Sequence, residues 1–155
     1  MHNAKLEKLG SSAVYVHGTT PDAHIEVTNS LLTTGEDAEL VLGVGHTQGF
    51  GQSLDERERV VDTFSGTVII RGNDVRGVPE ATVERLAETG AEHGIALRYP
   101  RLGDNAIDVS DNTVTDVRRY GIWLRQYTRS GEGADEHVTT IDDNTGVWAI
   151  ARNHV

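Results

Sequence analysis

The side chains of this chain best suited to chemistry recur at matched places: Trp123 with Arg125, Arg98, Trp148 and Tyr15. Arg98 and Arg125 fall at the same position of two copies of one phrase. These read Gly94-Ile95-Ala96-Leu97-Arg98-Tyr99 and Gly121-Ile122-Trp123-Leu124-Arg125-Gln126, with Gly146-Val147-Trp148-Ala149-Ile150 as a weaker echo. An aromatic face packs on the C–H face of a sugar ring. A guanidinium offers a planar fork to a carboxylate or sulfate. Together they predict a groove for an anionic or neutral polysaccharide. The competing use of Trp123 and Trp148 is packing beneath loops such as 128–136.

A second set is acidic: Glu26, Asp108 and Asp142. Two carboxylates about 5–9 Å apart serve glycoside hydrolysis, one as acid and one as base or nucleophile. Their oxygens also suit calcium, the one cofactor this pattern leaves open. With 24 Asp and Glu in all, a solvated acidic face explains them equally well. The seven His lack the spacing of a zinc site, so no metal centre is expected. With no Cys, disulfides, thiolate ligands and Cys nucleophiles are excluded.

These residues need elements to position them, and a second phrase shows which. Ile70-Arg71-Gly72-Asn73-Asp74-Val75 recurs as Val109-Ser110-Asp111-Asn112-Thr113-Val114 and as Ile150-Ala151-Arg152-Asn153-His154-Val155. Val27-Thr28-Asn29-Ser30-Leu31 reads as a copy one residue shorter, and Ile141-Asp142-Asp143-Asn144 as an incomplete one. A phrase repeated along a chain marks a repeat architecture. Around it lie strand-length runs at 13–17, 24–32, 39–44, 67–71, 94–99, 106–110, 121–126, 138–141 and 146–150, most alternating apolar and polar. Alternation puts Tyr15, His17, Ala96, Arg98, Trp123, Arg125 and Trp148 on an outward stripe. Asn suits a corner because it tolerates the left-handed conformation. Stacked Asn amides both donate and accept, which satisfies turn backbone that would otherwise be orphaned.

In these phrases the chain resembles the right-handed parallel β-helix superfamily, which includes pectate-lyase-like enzymes and carbohydrate-binding repeat proteins. The resemblance spans about 12–155 and implies an all-β solenoid. It also implies an extracellular or cell-surface setting. A β-sandwich with Asn turns is the alternative fold. The superfamily's hydrolase motifs are missing: there is no Asn-Thr-Asp or Gly-His-Gly, and the one Asp-Asp, Asp142-Asp143, lies inside a turn phrase. The expected function is therefore non-catalytic binding of carbohydrate or a cell-surface polysaccharide. A polysaccharide lyase or glycoside hydrolase is the second expectation, and a structural segment of a larger surface protein the third.

The 155 residues are read as one domain with insertions at about 45–65 and 79–93, the second of them helical. Lys5-Leu6-Glu7-Lys8-Leu9 reads as part of an N-terminal cap, and His2 as unstructured. The last copy of the Asn phrase ends at Val155, so truncation and further repeat units are expected. No secretory signal or apolar span is visible. A net charge of −10 with Arg strongly preferred over Lys resembles halophilic proteins and opposes general nucleic-acid binding.

Overall fold

The computed structural model describes residues 1–9, 12–17, 22–34, 38, 40–45, 66–77, 91–99, 105–126 and 147–155. The described chain forms twelve strands: β1 Lys5–Leu9, β2 Val14–His17, β3 His24–Thr28, β4 Leu31–Thr34, β5 Leu40–Gly45, β6 Thr67–Arg71, β7 Asp74–Arg76, β8 His93–Tyr99, β9 Ala106–Ser110, β10 Thr113–Thr115, β11 Tyr120–Gln126 and β12 Val147–Ala151. They build three 4-stranded sheets. The first orders β1-β4-β7-β10, the second β2-β5-β8-β11 and the third β3-β6-β9-β12. Every pairing is parallel. The chain thus visits the first, second and third sheets in turn and repeats that circuit.

One apolar core joins the sheets. Leu32, Val75 and Val114 come from the first, Leu42, Ile95 and Leu97 from the second, and Ile25, Val27, Val68, Ile70, Ile107 and Val109 from the third. In the third sheet Ile25, Val68 and Ile107 share one register position, and Val27, Ile70 and Val109 another. Strand alternation therefore stacks like on like and fills the interior with β-branched columns. Ile150, in register with Val109 on the last strand, is 44% exposed.

The repeated Asn phrase is the corner from the third sheet to the first. Asn73, Asn112 and Asn153 stack. Asn73 Nδ2 donates to Asn112 Oδ1 at 3.0 Å, and Asn112 Nδ2 to Asn153 Oδ1 at 3.0 Å. The same amides donate to Val27 O, Ile70 O and Val109 O at 2.9, 2.9 and 2.8 Å. Each Oδ1 also accepts the backbone N–H one strand before it in the stack: Ser30 to Asn73, Asn73 to Asn112, and Asn112 to Asn153. Asn73 and Asn112 are buried, so these bonds remove what would otherwise be a desolvation cost.

The run 24–32 is two strands rather than one, broken by this corner. The copy at Val27–Leu32 is full length, because Val27 is in register with Ile70 and Leu32 with Val75. Ser30 fills the Asn slot there, accepting Ala4 N–H and donating to Thr28 O. Asn29 instead occupies the preceding position, where every corner is left-handed: Asn3 (φ 50°), Asn29 (49°), Gly72 (67°), Asp111 (56°) and Arg152 (53°). Side chains differ at that position because the stacked amide at the next one supplies the common constraint.

Residues 5–9, expected as a cap, form β1, the edge strand of the first sheet. The chain's only two lysines, Lys5 and Lys8, both lie on it, the placement that blunts an open sheet edge. His2, expected to be unstructured, bridges to Thr28, with its Nδ1 2.5 Å from Thr28 Oγ1. Residues 46–65, 78–90 and 127–146, which hold the expected insertions and Asp142, lie outside the described residues, apart from Gly45 on β5 and the end of the expected helix. Those last residues, 91–93, are not helical, and His93 begins β8. Among the described residues no helix is long and apolar enough to cross a membrane.

Candidate binding face on the second sheet

Register on the second sheet aligns Tyr15, Gly43, Ala96 and Trp123 in one column. A parallel column two residues on holds His17, Gly45, Arg98 and Arg125. The first column faces away from the core, since Leu42, Ile95 and Leu124 on either side of it pack inward. Gly43 sits beneath the Tyr15 ring, because a Cβ there would lie 2.6 Å from Tyr15 Cδ2. Ala96 is likewise buried. Tyr15 and Trp123 therefore stand three strand spacings apart, roughly 14 Å, with Gly43 and Ala96 between them in the column.

A third row, unseen in the sequence, completes the face. Leu40, His93 and Tyr120 are in register, and simple alternation would turn them inward with Leu42, Ile95 and Ile122. His93 and Tyr120 lie on the outer face instead, whereas Leu40 is buried, with its Cδ1 2.7 Å from where a Gly43 Cβ would stand. The His93 ring centre is 4.2 Å from that of Trp123 and 5.5 Å from that of Tyr120, to which it is nearly parallel at 15°. Tyr120 and Trp123 are 6.3 Å apart. The glycines after His93 and Tyr120 cause the reversal. Gly94 turns its missing side chain inward, where a Cβ would stand 2.2 Å from Val114 Cγ1 and 2.6 Å from Gly121 O. Gly121 does the same against Val155 Cγ1, at 2.1 Å. Two consecutive inward positions, Gly94 and Ile95, put His93 and Ala96 on the same outer face. The visible signal was an aromatic residue before glycine in both phrases, His93-Gly94 and Tyr120-Gly121.

His93 is buried under its neighbours, whereas Tyr120 is 54% and Tyr15 43% exposed. The approach to β11 is pinned to β8: Arg118 N–H donates to Ala91 O, and Arg119 and Tyr120 N–H both donate to Glu92 O. The Glu92 carboxylate, just before β8, lies 3.8 Å from Arg119 Nη1 and 3.9 Å from His93 Nε2.

Trp148 does not join this face. It lies on β12 in the third sheet, in register with Ile107, which aligns with Val68 and Ile25. The Gly-x-Trp echo is local, whereas phase in a sheet is set by pairing with the neighbouring strand.

Of the acidic set, Glu26 and Asp108 lie on the third sheet. Glu26, Ile69, Asp108 and Ala149 share one column, so the two carboxylates are separated by a whole strand rather than adjacent. Asp108 is already engaged. Ser110 Oγ donates to its Oδ1 at 2.6 Å, Arg71 Nη2 pairs with its Oδ2, and Arg71 Nε reaches Ser110 Oγ at 3.3 Å. Partial burial opposes its charge, but the Ser110 hydrogen bond and the Arg71 guanidinium prevail and hold its pKa below the usual carboxylate value. A general acid needs the opposite shift. Nearby, Arg152 makes a bidentate pair with Asp111 at 2.6 and 2.7 Å, which lowers the Asp111 pKa and raises that of Arg152. Among the described residues no group of three or more His, Asp or Glu is placed to hold a metal ion.

Compared with known protein families, curated proteins and solved structures, the chain shows no match.

Proposed function

We propose that the chain is a right-handed parallel β-helix module that binds carbohydrate, without catalysis, on the outer face of its second sheet. The fold reading draws on three parallel sheets visited in rotation, together with the strong right-handed preference of parallel crossovers. The observation that carries the binding reading is the outward aromatic cluster, with Tyr120 stacked on His93 and neighbouring Trp123. Glycine-driven reversal at Gly94 and Gly121 brings His93 and Tyr120 to the face that already carries Trp123, on a sheet whose inward face is an ordinary core. Half-exposed aromatic rings with a polar tip are favoured recognition groups, because they offer large contact area with few torsions to fix. The depressed pKa of Asp108, held by Ser110 and Arg71, disfavours a role for it as the general acid of a hydrolase.

The test is titration of intrinsic tryptophan fluorescence with a panel of polysaccharides, in the parent chain and in Tyr120→Ala. Saturable change with one polymer, weakened about tenfold in Tyr120→Ala, corresponds to about 1.4 kcal/mol and supports the face. No response to any polymer leaves a purely structural repeat segment as the surviving account. Release of reducing ends or unsaturated products from the bound polymer would replace binding with catalysis.

A further inference from the structure

The two edges of the third sheet are finished differently. At one edge, the residues before β1 lie along β3. Thr28 N–H donates to Met1 O at 3.0 Å, Asn3 N–H donates to Thr28 O at 3.1 Å, and the amino terminus reaches Glu26 O. At the other edge β12 pairs with β9, and among the described residues no strand lies on its far side. Ala149 and Ile150 of β12 are both exposed.

Backbone direction shows what this edge offers. Asp111 N–H donates to Ala151 O, so Ala151 turns toward the β9 side. In a strand the N–H and C=O of one residue share a side, and those of the next residue take the other. Trp148 and Ile150 therefore turn their backbone groups to the open edge. The corner agrees for Ile150. Val27 O, Ile70 O and Val109 O, its equivalents on the three earlier strands, each accept an Asn amide from the next corner. Among the described residues no such amide follows Ile150.

Composition sets the edge apart as well. β12 reads Val-Trp-Ala-Ile-Ala, with no charge, Pro or Gly, on a chain of net charge −10. By contrast β1, the edge strand of the first sheet, carries Lys5, Glu7 and Lys8. A neutral, apolar edge is a template for strand addition. Ile150 also has apolar area left to bury, since it is 44% exposed where Ile70 and Val109 are fully buried.

We infer that β12 is a self-association edge, at which two copies pair antiparallel about a two-fold axis through Ala149. That register sets position 148 of each copy opposite position 150 of the other, so it joins backbone groups already turned outward. It overlaps the whole 5-residue strand and keeps Ile150 of each copy on the inward side of the joint. Head-to-tail stacking is disfavoured, because Met1 and Asn3 already occupy the β3 edge it would need. A two-fold contact closes at two copies. An uncharged strand spares the contact the repulsion that the acidic surface imposes elsewhere. This inference is independent of the glycan reading.

Sedimentation equilibrium of the full chain, over a wide concentration range at low and high NaCl, tests it. Variants are Ala149→Lys, Ala149→Glu and, at the far edge of the same sheet, His24→Lys, each checked for folding by circular dichroism. The parent is expected to approach twice the mass of one chain, and to dimerise more tightly as NaCl screens the net charge. Ala149→Lys and Ala149→Glu alone should each weaken the dimer about tenfold or more, because the axis sets like charges directly opposite. An equimolar mixture of the two should restore it. His24→Lys should leave it unchanged. A parent that stays monomeric at every concentration overturns the inference. So does a dimer indifferent to both Ala149 variants, or one weakened as much by His24→Lys. Growth beyond two copies, or no rescue on mixing, overturns the two-fold pairing at Ala149.

Discussion

The third sheet with its corner and the outer face of the second sheet share one backbone plan and treat polar chemistry in opposite ways. On the third sheet Asp108 is answered by Arg71 and Ser110, Asp111 by Arg152, and the corner amides by one another. On the second, strand alternation is reversed at Gly94 and Gly121 so that His93, Tyr120 and Trp123 gather outside. The difference teaches which regularity is architecture and which is a candidate for recognition. Polar groups satisfied within the chain have little left for a ligand. Aromatic rings held half-exposed on a sheet face have contact area still to bury.

The sharpest way to break this comparison is at the corner. Asn112→Ala removes an amide that bonds Ile70 O and Asn153 Oδ1 and accepts from Asn73, all at a buried site. The expected loss is about 3–4 kcal/mol in denaturant unfolding, with glycan affinity unchanged in whatever fraction stays folded. Asn112→Ser, which copies Ser30, is expected to lose roughly half as much. Equal damage by both would show that the slot works by shape rather than by hydrogen bonding.

Next is Gly94→Ala, which places a Cβ against Val114 and the Gly121 carbonyl. It should cost about 1–3 kcal/mol and also disturb the ring cluster, so stability and binding fall together. Loss of stability with near-ultraviolet dichroism and binding intact would separate the glycine reversal from the cluster.

Tyr120→Ala should do the reverse of Asn112→Ala: about tenfold weaker binding, with stability changed by no more than about 0.5 kcal/mol.

The smallest effect belongs to Asp108→Asn. Its folded pKa is depressed, so the associated stability is present above the unfolded value of about 3.9 and is lost as pH falls through the folded value. The variant should cost less than about 1 kcal/mol at neutral pH, flatten the acid limb of stability below about pH 4, and leave binding unaltered. A steep binding loss would move the recognition surface to the third sheet.

Much of the architecture was legible because its signals are local. The Asn phrase shows that corners recur, and period-two runs show which residues of most strands face in. Ser30 was misread because an Asn one residue earlier gave the more obvious match. Its true slot is defined by the Asn73 amide that bonds it. Tyr120 and His93 were missed for a related reason. Alternation is a reliable guide until a glycine allows two consecutive inward positions, and only the close approach of Val114 to Gly94 and of Val155 to Gly121 reveals that this has happened.

By itself, then, the sequence determined a repeating, all-β chain with an Asn corner, since propensity, alternation and turn chemistry are properties of neighbouring residues. Tertiary structure alone decided which residues meet. Register across strands put Trp148 beside Ile107 instead of Trp123, set Ile69 between Glu26 and Asp108, and aligned Arg98 with Arg125. Those relations depend on hydrogen bonds between strands far apart in the chain, whose phase is fixed only when the core columns and the stacked amides are satisfied together.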